Sequence, residues 1–528
     1  MIELLAHNLA PVMFLSVMGA LLLGYPVALT LAAGGLIFFA IGVGLGEISP
    51  EIHLSWILLQ SHPERIFGIM SNETLLAIPF FTFLGMILER TGMAEDLLET
   101  AGQIFGPLRG GVAYAVLFVG ALLAATTGIV AASVIAMGLI SLPVMLRYGY
   151  RPAFASGVIA ASGTLAQILP PSLVLIVMAD QLGQSVGAMY RGALAPSALL
   201  IALYALVILA VSLIRPHWLP ALPPEARRFR GGLPSLILAL AAATALGIGL
   251  RHVLPATMTP ELRLVTAGAA AVAALLVYAA FDRRLARPWL SPLAFEAIQV
   301  LIPPLTLIFL VLGTIFLGIA TPTEGGAMGA TGALFLAALR RKLTLNLLRH
   351  ALTATARLSA FVMFILIGAR VFGLTFYGIG GNVWIEQLLL SLPGETTGFL
   401  IFVTLLVFIL GCFLDFFEIA FILVPLLAGP AKALGIDPIW FGIILSLNLQ
   451  TSFLTPPFGF SLFFLRSVAP ARTGSEGVST AEIYRGSLVF VAINMAVIAA
   501  IIIWPGIVRH MPDPPAPVSP ASIQLPEL

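Results

Sequence analysis

Apolar positions in this chain run in long blocks, and polar positions fall in short clusters between them. A membrane-crossing helix needs roughly 20 apolar residues, so the blocks predict spanning helices. The first two, residues 9–23 and 27–46, are divided at Gly24-Tyr-Pro26 and predict a helical hairpin. Residues 47–70 carry Glu47, Glu51, Glu64 and Arg65 and are expected at a membrane surface. The block 75–88 contains Ile78-Pro-Phe-Phe81 and stops at Glu89-Arg90, and an amphipathic stretch follows over 93–105. Further on, residues 233–250 and 264–280 predict two additional spanning helices between basic loops. The Pro-rich stretch 216–224 reads as linker and the tail 512–528 as a disordered end.

Two blocks are interrupted at their centres. Residues 111–145 are broken at Ala124-Ala-Thr-Thr-Gly128, and residues 398–427 at Gly411-Cys-Phe-Leu-Asp-Phe-Phe-Glu418. At about 1.5 Å per residue each half is too short to cross comfortably, which predicts re-entrant hairpins, the first with its tip at Thr126-Thr127-Gly128. Arg147 and Arg151 follow the first hairpin, so the positive-inside rule puts its base in the cytoplasm. The second exit has only Lys432 and Asp437. The basic clusters lie elsewhere: Arg215 with Arg227, Arg228 and Arg230; Arg283, Arg284 and Arg287; and Arg340, Arg341 and Lys342. Counting crossings from them puts the second hairpin on the periplasmic side.

After each hairpin an apolar run meets a proline pair, in Ser162-Gly-Thr-Leu-Ala-Gln-Ile-Leu-Pro-Pro171 and in Thr451-Ser-Phe-Leu-Thr-Pro-Pro-Phe-Gly459. Each proline lacks an N–H and crowds the carbonyl four residues back, so a helix cannot pass unbroken. In lipid, carbonyls freed in this way must face protein, water or an ion. Gly149 and Pro152 stand in the same register to Pro170 as Gly435 and Pro438 do to Pro456. Tyr190-Arg-Gly192 recurs as Tyr484-Arg-Gly486, a few positions out of that register. The pattern is an internal repeat. Paired Gly/Pro-interrupted segments in two halves point to a transporter binding site between inverted repeats; the alternative is two proline-kinked structural helices.

Composition agrees with this reading. With 60% hydrophobic and 9% charged residues and a mean hydropathy of +1.07, the chain is a polytopic membrane protein. A net charge of +2 without a basic stripe excludes a nucleic-acid partner. Cys412 is the single cysteine, so there is no intramolecular disulfide or cysteine metal cluster, and the histidines are scattered. Neither a nucleophile–base pair nor a P-loop is visible, against an enzyme or an ATPase. The expected fold is all-α: inverted repeats, each with a re-entrant hairpin and a Pro-Pro-broken helix. The expected divisions are scaffold helices at 1–110, a first transport repeat at 111–214, loops and inserted helices at 215–295, a second scaffold at 296–395, a second transport repeat at 396–509 and a tail at 510–528.

In these residues the sequence resembles the large membrane subunit of tripartite ATP-independent periplasmic (TRAP) transporters, the DctM-like family. The likeness covers nearly the whole chain and includes Ile78-Pro-Phe-Phe81, the first hairpin tip, the Pro170-Pro171 helix, Ala320-Thr-Pro-Thr-Glu-Gly-Gly326, Lys432-Ala-Leu-Gly-Ile-Asp-Pro438 and Leu454-Thr-Pro-Pro-Phe-Gly459. It implies an elevator-type fold of the ion-transporter superfamily and sodium-coupled uptake of an organic acid across the bacterial inner membrane. It also implies a small four-helix membrane subunit and a periplasmic substrate-binding protein as partners, and no cofactor besides the coupling ion. The chain begins with its own first hairpin, so the small subunit is expected as a separate polypeptide. Where many relatives have Gly-x-Ser-Gly-Ser followed by Asp, this chain has Ala125-Thr-Thr-Gly-Ile129 and Ser133. Leu414-Asp-Phe-Phe-Glu-Ile419 replaces the Met-Asp-x-Thr-Pro of the C4-dicarboxylate branch and resembles the branch named for mannitol or chloroaromatic compounds, some members of which resemble 2-oxoacid or lactate carriers.

Sodium prefers oxygen ligands. Unwound carbonyls with hydroxyl, amide and carboxylate side chains make Thr126, Thr127, Gly128, Ser162, Gly163, Thr164, Asp415, Asn448, Thr451, Ser452 and Thr455 the candidate sodium set. An anionic substrate is expected between the halves at Pro170, Pro171, Glu418, Pro456 and Pro457, facing half-helix N-termini. For single hydroxyls the competing role is back-bonding to their own helix, and for Glu324 it is capping the helix that follows. A stand-alone ion-coupled organic-anion transporter and a channel are the competing functional classes.

Overall fold

The computed structural model describes residues 6–46, 48–49, 52–229, 231–255, 257–285, 288–470 and 477–508. Glu47, Glu51, Arg230, Arg287, the tail and the side chains of Thr126 and Thr127 lie outside the described residues. Every regular element described is helical, and nine helices are long and apolar enough to cross a membrane, or up to eleven if two bent pairs each count as one span. It is an all-α polytopic membrane protein.

The opening hairpin is α1 (Leu9–Leu22) and α2 (Val27–Leu45), close to the bounds expected from the apolar blocks. A 3-10 turn at Trp56–Ser61 and α3 (His62–Met70) lead at a 49° bend into α4 (Glu73–Arg90), capped by the Asn72 side chain, and α5 (Met93–Phe105) follows. The first hairpin is α6 (Gly111–Thr127) and α7 (Val130–Arg147). The first broken helix is α8 (Pro152–Thr164) and α9 (Leu173–Gln181), and α10 (Val186–Ile214) closes the half. The inserted pair is α11 (Leu233–Val253) and α12 (Pro260–Asp282), largely exposed to the surroundings.

The same order then recurs. After α13 (Pro292–Phe316) and α14 (Pro322–Leu339) come α15 (Leu345–Gly378) and α16 (Gly381–Leu390). The second hairpin is α17 (Glu395–Leu410) and α18 (Phe416–Ala433), with α17 turned 115° from α16. The second broken helix is α19 (Pro438–Phe453) and α20 (Phe460–Val468), and α21 (Thr480–Ile503) closes the second half.

Packing between the two halves is reciprocal. Helix α2 lies along α15, where the Thr375 hydroxyl donates to the Gly35 carbonyl at 2.9 Å, and α14 lies along α4, where the Thr323 hydroxyl donates to Glu73 O at 2.6 Å. Further along, a Cβ on Gly326 would lie 2.9 Å from Phe80 and one on Gly329 would lie 3.0 Å from Leu84, so α4 and α14 run parallel. Helices α4 and α15 are also in contact, and the cavity shared by Arg90 and Thr344 joins the end of one to the start of the other, so they run antiparallel. The 34 residues of α15 reach about 50 Å at 1.5 Å per residue. Inside this frame α9 packs on hairpin arm α18 and on α19, while α20 packs on hairpin arm α7 and on α8.

Candidate functional site

Both proline pairs break their helices where the missing donors require. Pro171 cannot serve the carbonyl of Gln167, and the Ser172 hydroxyl donates to it instead at 2.9 Å. Pro457 cannot serve the carbonyl of Phe453, and the Ser461 hydroxyl donates to it at 2.7 Å. The two breaks thus use one device: a serine beyond the proline supplies the donor that proline lacks. Both serines are fully buried, where an unmet carbonyl would cost about 1–3 kcal/mol.

The repeated Tyr-Arg-Gly motif supports the same breaks. The Tyr190 hydroxyl donates to Ser172 O at 3.5 Å, and that of Tyr484 donates to Pro457 O at 3.0 Å. Each tyrosine therefore holds the break in its own half. Each glycine serves the other half. A Cβ on Gly192 would lie 2.8 Å from Ile439 and Ile443 of α19, and one on Gly486 would collide with the Ala153 carbonyl of α8.

The hairpin tips close over the breaks. Gly128 takes a left-handed φ of 58° to end α6, and a Cβ there would lie 3.0 Å from Leu173, the first residue of α9. Gly411, at the second tip, approaches Ser452 so closely that a Cβ would strike its hydroxyl. The Asn448 amide donates to Thr404 O of α17 at 2.7 Å, joining α19 to the hairpin arm.

The candidate residues thus form two half-sites. Gly128 lies at the first tip, with Ser162, Gly163 and Thr164 in the last turn of α8; Asn448, Thr451 and Ser452 end α19, and Thr455 lies in its break. The 3-10 turn Leu165–Gln167 packs on α19 and brings the half-sites side by side. Ser162, Thr164, Asn448, Thr451 and Ser452 are fully buried, so this arrangement is closed to solvent. Every described candidate hydroxyl donates to its own helix: Ser162 to Val158 O, Thr164 to Ala161 O, Thr451 to Leu447 O, Ser452 to Leu449 O and Thr455 to Thr451 O, at 2.7–2.9 Å. Their protons are occupied, while their oxygen lone pairs can still face an ion.

Asp415 and Glu418 form a capping box at the start of α18. Asp415 Oδ1 accepts from the Phe416 amide at 2.7 Å, and Glu418 Oε2 accepts from the Asp415 amide at 2.9 Å. Thr321 with Glu324, and Ser479 with Glu482, build the same cap on α14 and α21. The capping role weighed for Glu324 is therefore the one seen. By contrast, the first turns of α7, α9 and α20 carry no acidic residue. Their N-terminal dipoles are not offset by a carboxylate of their own.

Sequence reasoning missed Gln167. It is fully buried in the turn that joins the half-sites, and neither its amide nitrogen nor its oxygen has a partner. Asn448 Oδ1 and Gln450 Oε1 are also buried without a donor. A lone glutamine in an apolar run has no periodic signal; only its place before the proline pair marks it.

Residues 14–507 match the family described as Tripartite ATP-independent periplasmic transporter, DctM component. The chain belongs to this family. Among DctM relatives, the C4-dicarboxylate TRAP transporter large permease protein of Pseudomonas aeruginosa is 30% identical over 416 residues, 78% of this chain and 81% of that protein. The sialic acid TRAP transporter large permease of Vibrio cholerae is 25% identical, covering 84% of this chain and 90% of the relative. The isethionate TRAP transporter permease DctMQ of Oleidesulfovibrio alaskensis is 26% identical over 82% of this chain and 58% of that longer protein. The crystal structure of the Alcanivorax borkumensis YdaH transporter shares the fold, with a TM-score of 0.53 and 15% identity over 91% of this chain and 98% of that one. Membership of the DctM family and the apolar spans make this chain a multi-pass protein of the bacterial inner membrane.

Proposed function

We propose that this DctM-family permease carries out sodium-coupled secondary uptake of an organic acid delivered by a periplasmic binding protein, together with a small membrane subunit. The observation that carries the reading is the reciprocal crossing of two broken helices beneath two hairpin tips. The breaks bring hydroxyl oxygens, the unpartnered Gln167 amide and the unpartnered Asn448 Oδ1 beside the other half. Sodium takes the oxygen-rich ends of α8 and α19, and an anion takes the N-termini of α7, α9 and α20. Gln167, set between the half-sites, supplies a carbonyl oxygen to a cation or an N–H pair to a carboxylate. C4-dicarboxylate, isethionate and sialic acid, the compounds in the relatives' names, are all organic anions. In an elevator cycle α2, α4, α14 and α15 stay in place while the hairpins and broken helices move as a body.

The test is uptake into proteoliposomes holding this subunit with its partners, under an imposed sodium gradient. Uptake is expected only with the gradient, and Thr451→Val, which removes one hydroxyl at nearly constant volume, is expected to raise the sodium concentration for half-maximal rate at normal expression. Exchange of accumulated substrate in a counterflow assay separates a carrier from a channel. Sodium-independent uptake, or uptake by this chain without partners, would refute the proposal.

A further inference from the structure

We infer that the corner where α4, α14 and α15 meet is a binding site for an anionic phospholipid of the cytoplasmic leaflet. An open cavity of about 450 Å³ there is lined by Arg90, Gly92, Lys342, Thr344 and His350, among others. Arg340, Arg341 and Arg349 lie beside it in the chain. Asp96 is the carboxylate seen to pair with this group, bonding Arg340 at 2.9 Å and Lys342 at 3.6 Å. Among the described residues Arg341 and Arg349 have no ion-pair partner, and Arg90 interacts electrostatically with the neighbouring Glu89, so Asp96 and Glu89 offset two of the five Arg and Lys charges at positions 90, 340, 341, 342 and 349. The corner therefore presents excess positive charge on the face that the positive-inside rule assigns to the cytoplasm.

A second observation is the backbone of Arg341. The Lys342 amide donates to Ala337 O and the Arg341 amide to Ala338 O, both at 2.9 Å, which is a Schellman cap on α14. The residue at its turn needs a left-handed conformation, and the same two-bond pattern elsewhere uses Gly149, Gly183, Gly318 and Gly435. Arg341 holds that position at a φ of 55°, a left-handed conformation disfavoured for an L-residue. The chain thus carries a guanidinium where glycine is favoured by the backbone.

The third observation fixes the class of ligand. Leu345 is 81% exposed and Leu339 is 69% exposed, one on each side of the basic turn. A soluble anion has no use for leucines beside its cationic pocket. A phospholipid meets both: the phosphate takes Arg90, Lys342 and His350, and the acyl chains continue along the leucines into the bilayer.

The experiment uses the full chain, purified in detergent with any membrane subunit that accompanies it, and titrates dioleoyl phosphatidylglycerol, dioleoyl phosphatidylcholine or inorganic phosphate. Binding is read by native mass spectrometry and by the thermal midpoint. Phosphatidylglycerol is expected to be retained and to raise the midpoint, and the other two are not. Arg90→Gln with Lys342→Gln should weaken phosphatidylglycerol binding about 30-fold, because each basic residue near the surface contributes about 1 kcal/mol and 1.4 kcal/mol is tenfold. Arg109→Gln with Arg284→Gln removes two charges elsewhere and should leave binding unchanged. Arg341→Gly should raise the midpoint in phosphatidylcholine yet shrink the shift given by phosphatidylglycerol. Equal retention of phosphatidylcholine, an equal loss in the control pair, or full stabilisation by phosphate alone would each overturn the lipid site, and an intact shift in Arg341→Gly would remove Arg341 from it.

Discussion

Asp415 and Glu418 show how a carboxylate can be satisfied structurally and still be open to a functional test. A charge placed at mid-membrane costs about 2.5–3.5 kcal/mol on insertion scales, and the capping box gives both groups backbone donors that offset part of that cost. Asparagine caps a helix about as well as aspartate, whereas alanine loses about 1 kcal/mol. Asp415→Asn should therefore keep α18, subunit assembly and expression intact while removing one negative charge. If that charge attracts the coupling ion, uptake falls sharply and the sodium titration moves to higher concentration. If the cap is its whole role, Asp415→Asn leaves the titration untouched and only Asp415→Ala lowers the thermal midpoint. Glu418→Gln run in parallel decides whether the pair acts as one unit: equal single losses with no further loss in the double variant would show coupling.

Among the elements, the broken helices depend on donors that replace what proline removes. Ser172→Ala and Ser461→Ala each strip the hydroxyl from a buried carbonyl, and each should cost about 1–3 kcal/mol, read as a fall in the thermal midpoint of the detergent-solubilised protein. A midpoint within error of the parent would show that another donor reaches Gln167 or Phe453. The breaks themselves were legible in the sequence because proline and glycine act through the backbone: Pro170-Pro171, Pro456-Pro457 and the Gly128 tip could be placed without coordinates. Tyr190-Arg-Gly192 was legible only as a repeat. Its role depends on which carbonyl each tyrosine reaches and which helix crosses each glycine, and these are facts of three-dimensional packing. The Asp-x-x-Glu spacing of Asp415 and Glu418 fits a capping box, but in an apolar run the cost of burying charge makes an ion-binding role an equal reading of the same residues. Gln167 was hidden because its meaning comes from having no partner, which a sequence cannot display.

For the whole molecule, the reciprocal packing of the two halves leads to a prediction about sidedness. Helices α4 and α15, at matching places in the two halves, run antiparallel, α9 meets α18 as α20 meets α7, and Arg151 and Arg215 of the first half both lie over the Trp218 ring. If the repeats are inverted across the bilayer, Arg147 at the base of the first hairpin and Lys432 at the base of the second lie on opposite sides. Both are exposed at the ends of their helices, so cysteine can replace either without filling a packed space. Cys412, which contacts the Phe408 and Ser452 carbonyls, must first be changed to alanine so that it does not report. In intact spheroplasts a membrane-impermeant maleimide should then label Lys432→Cys and spare Arg147→Cys, and permeabilisation should expose the second. On the proposed function, such labelling would put the bases of the two hairpins in opposite compartments, as inverted repeats in an alternating-access cycle require. Labelling of both positions from the same side would remove the inversion, and with it the alternating-access cycle built on these crossed helices.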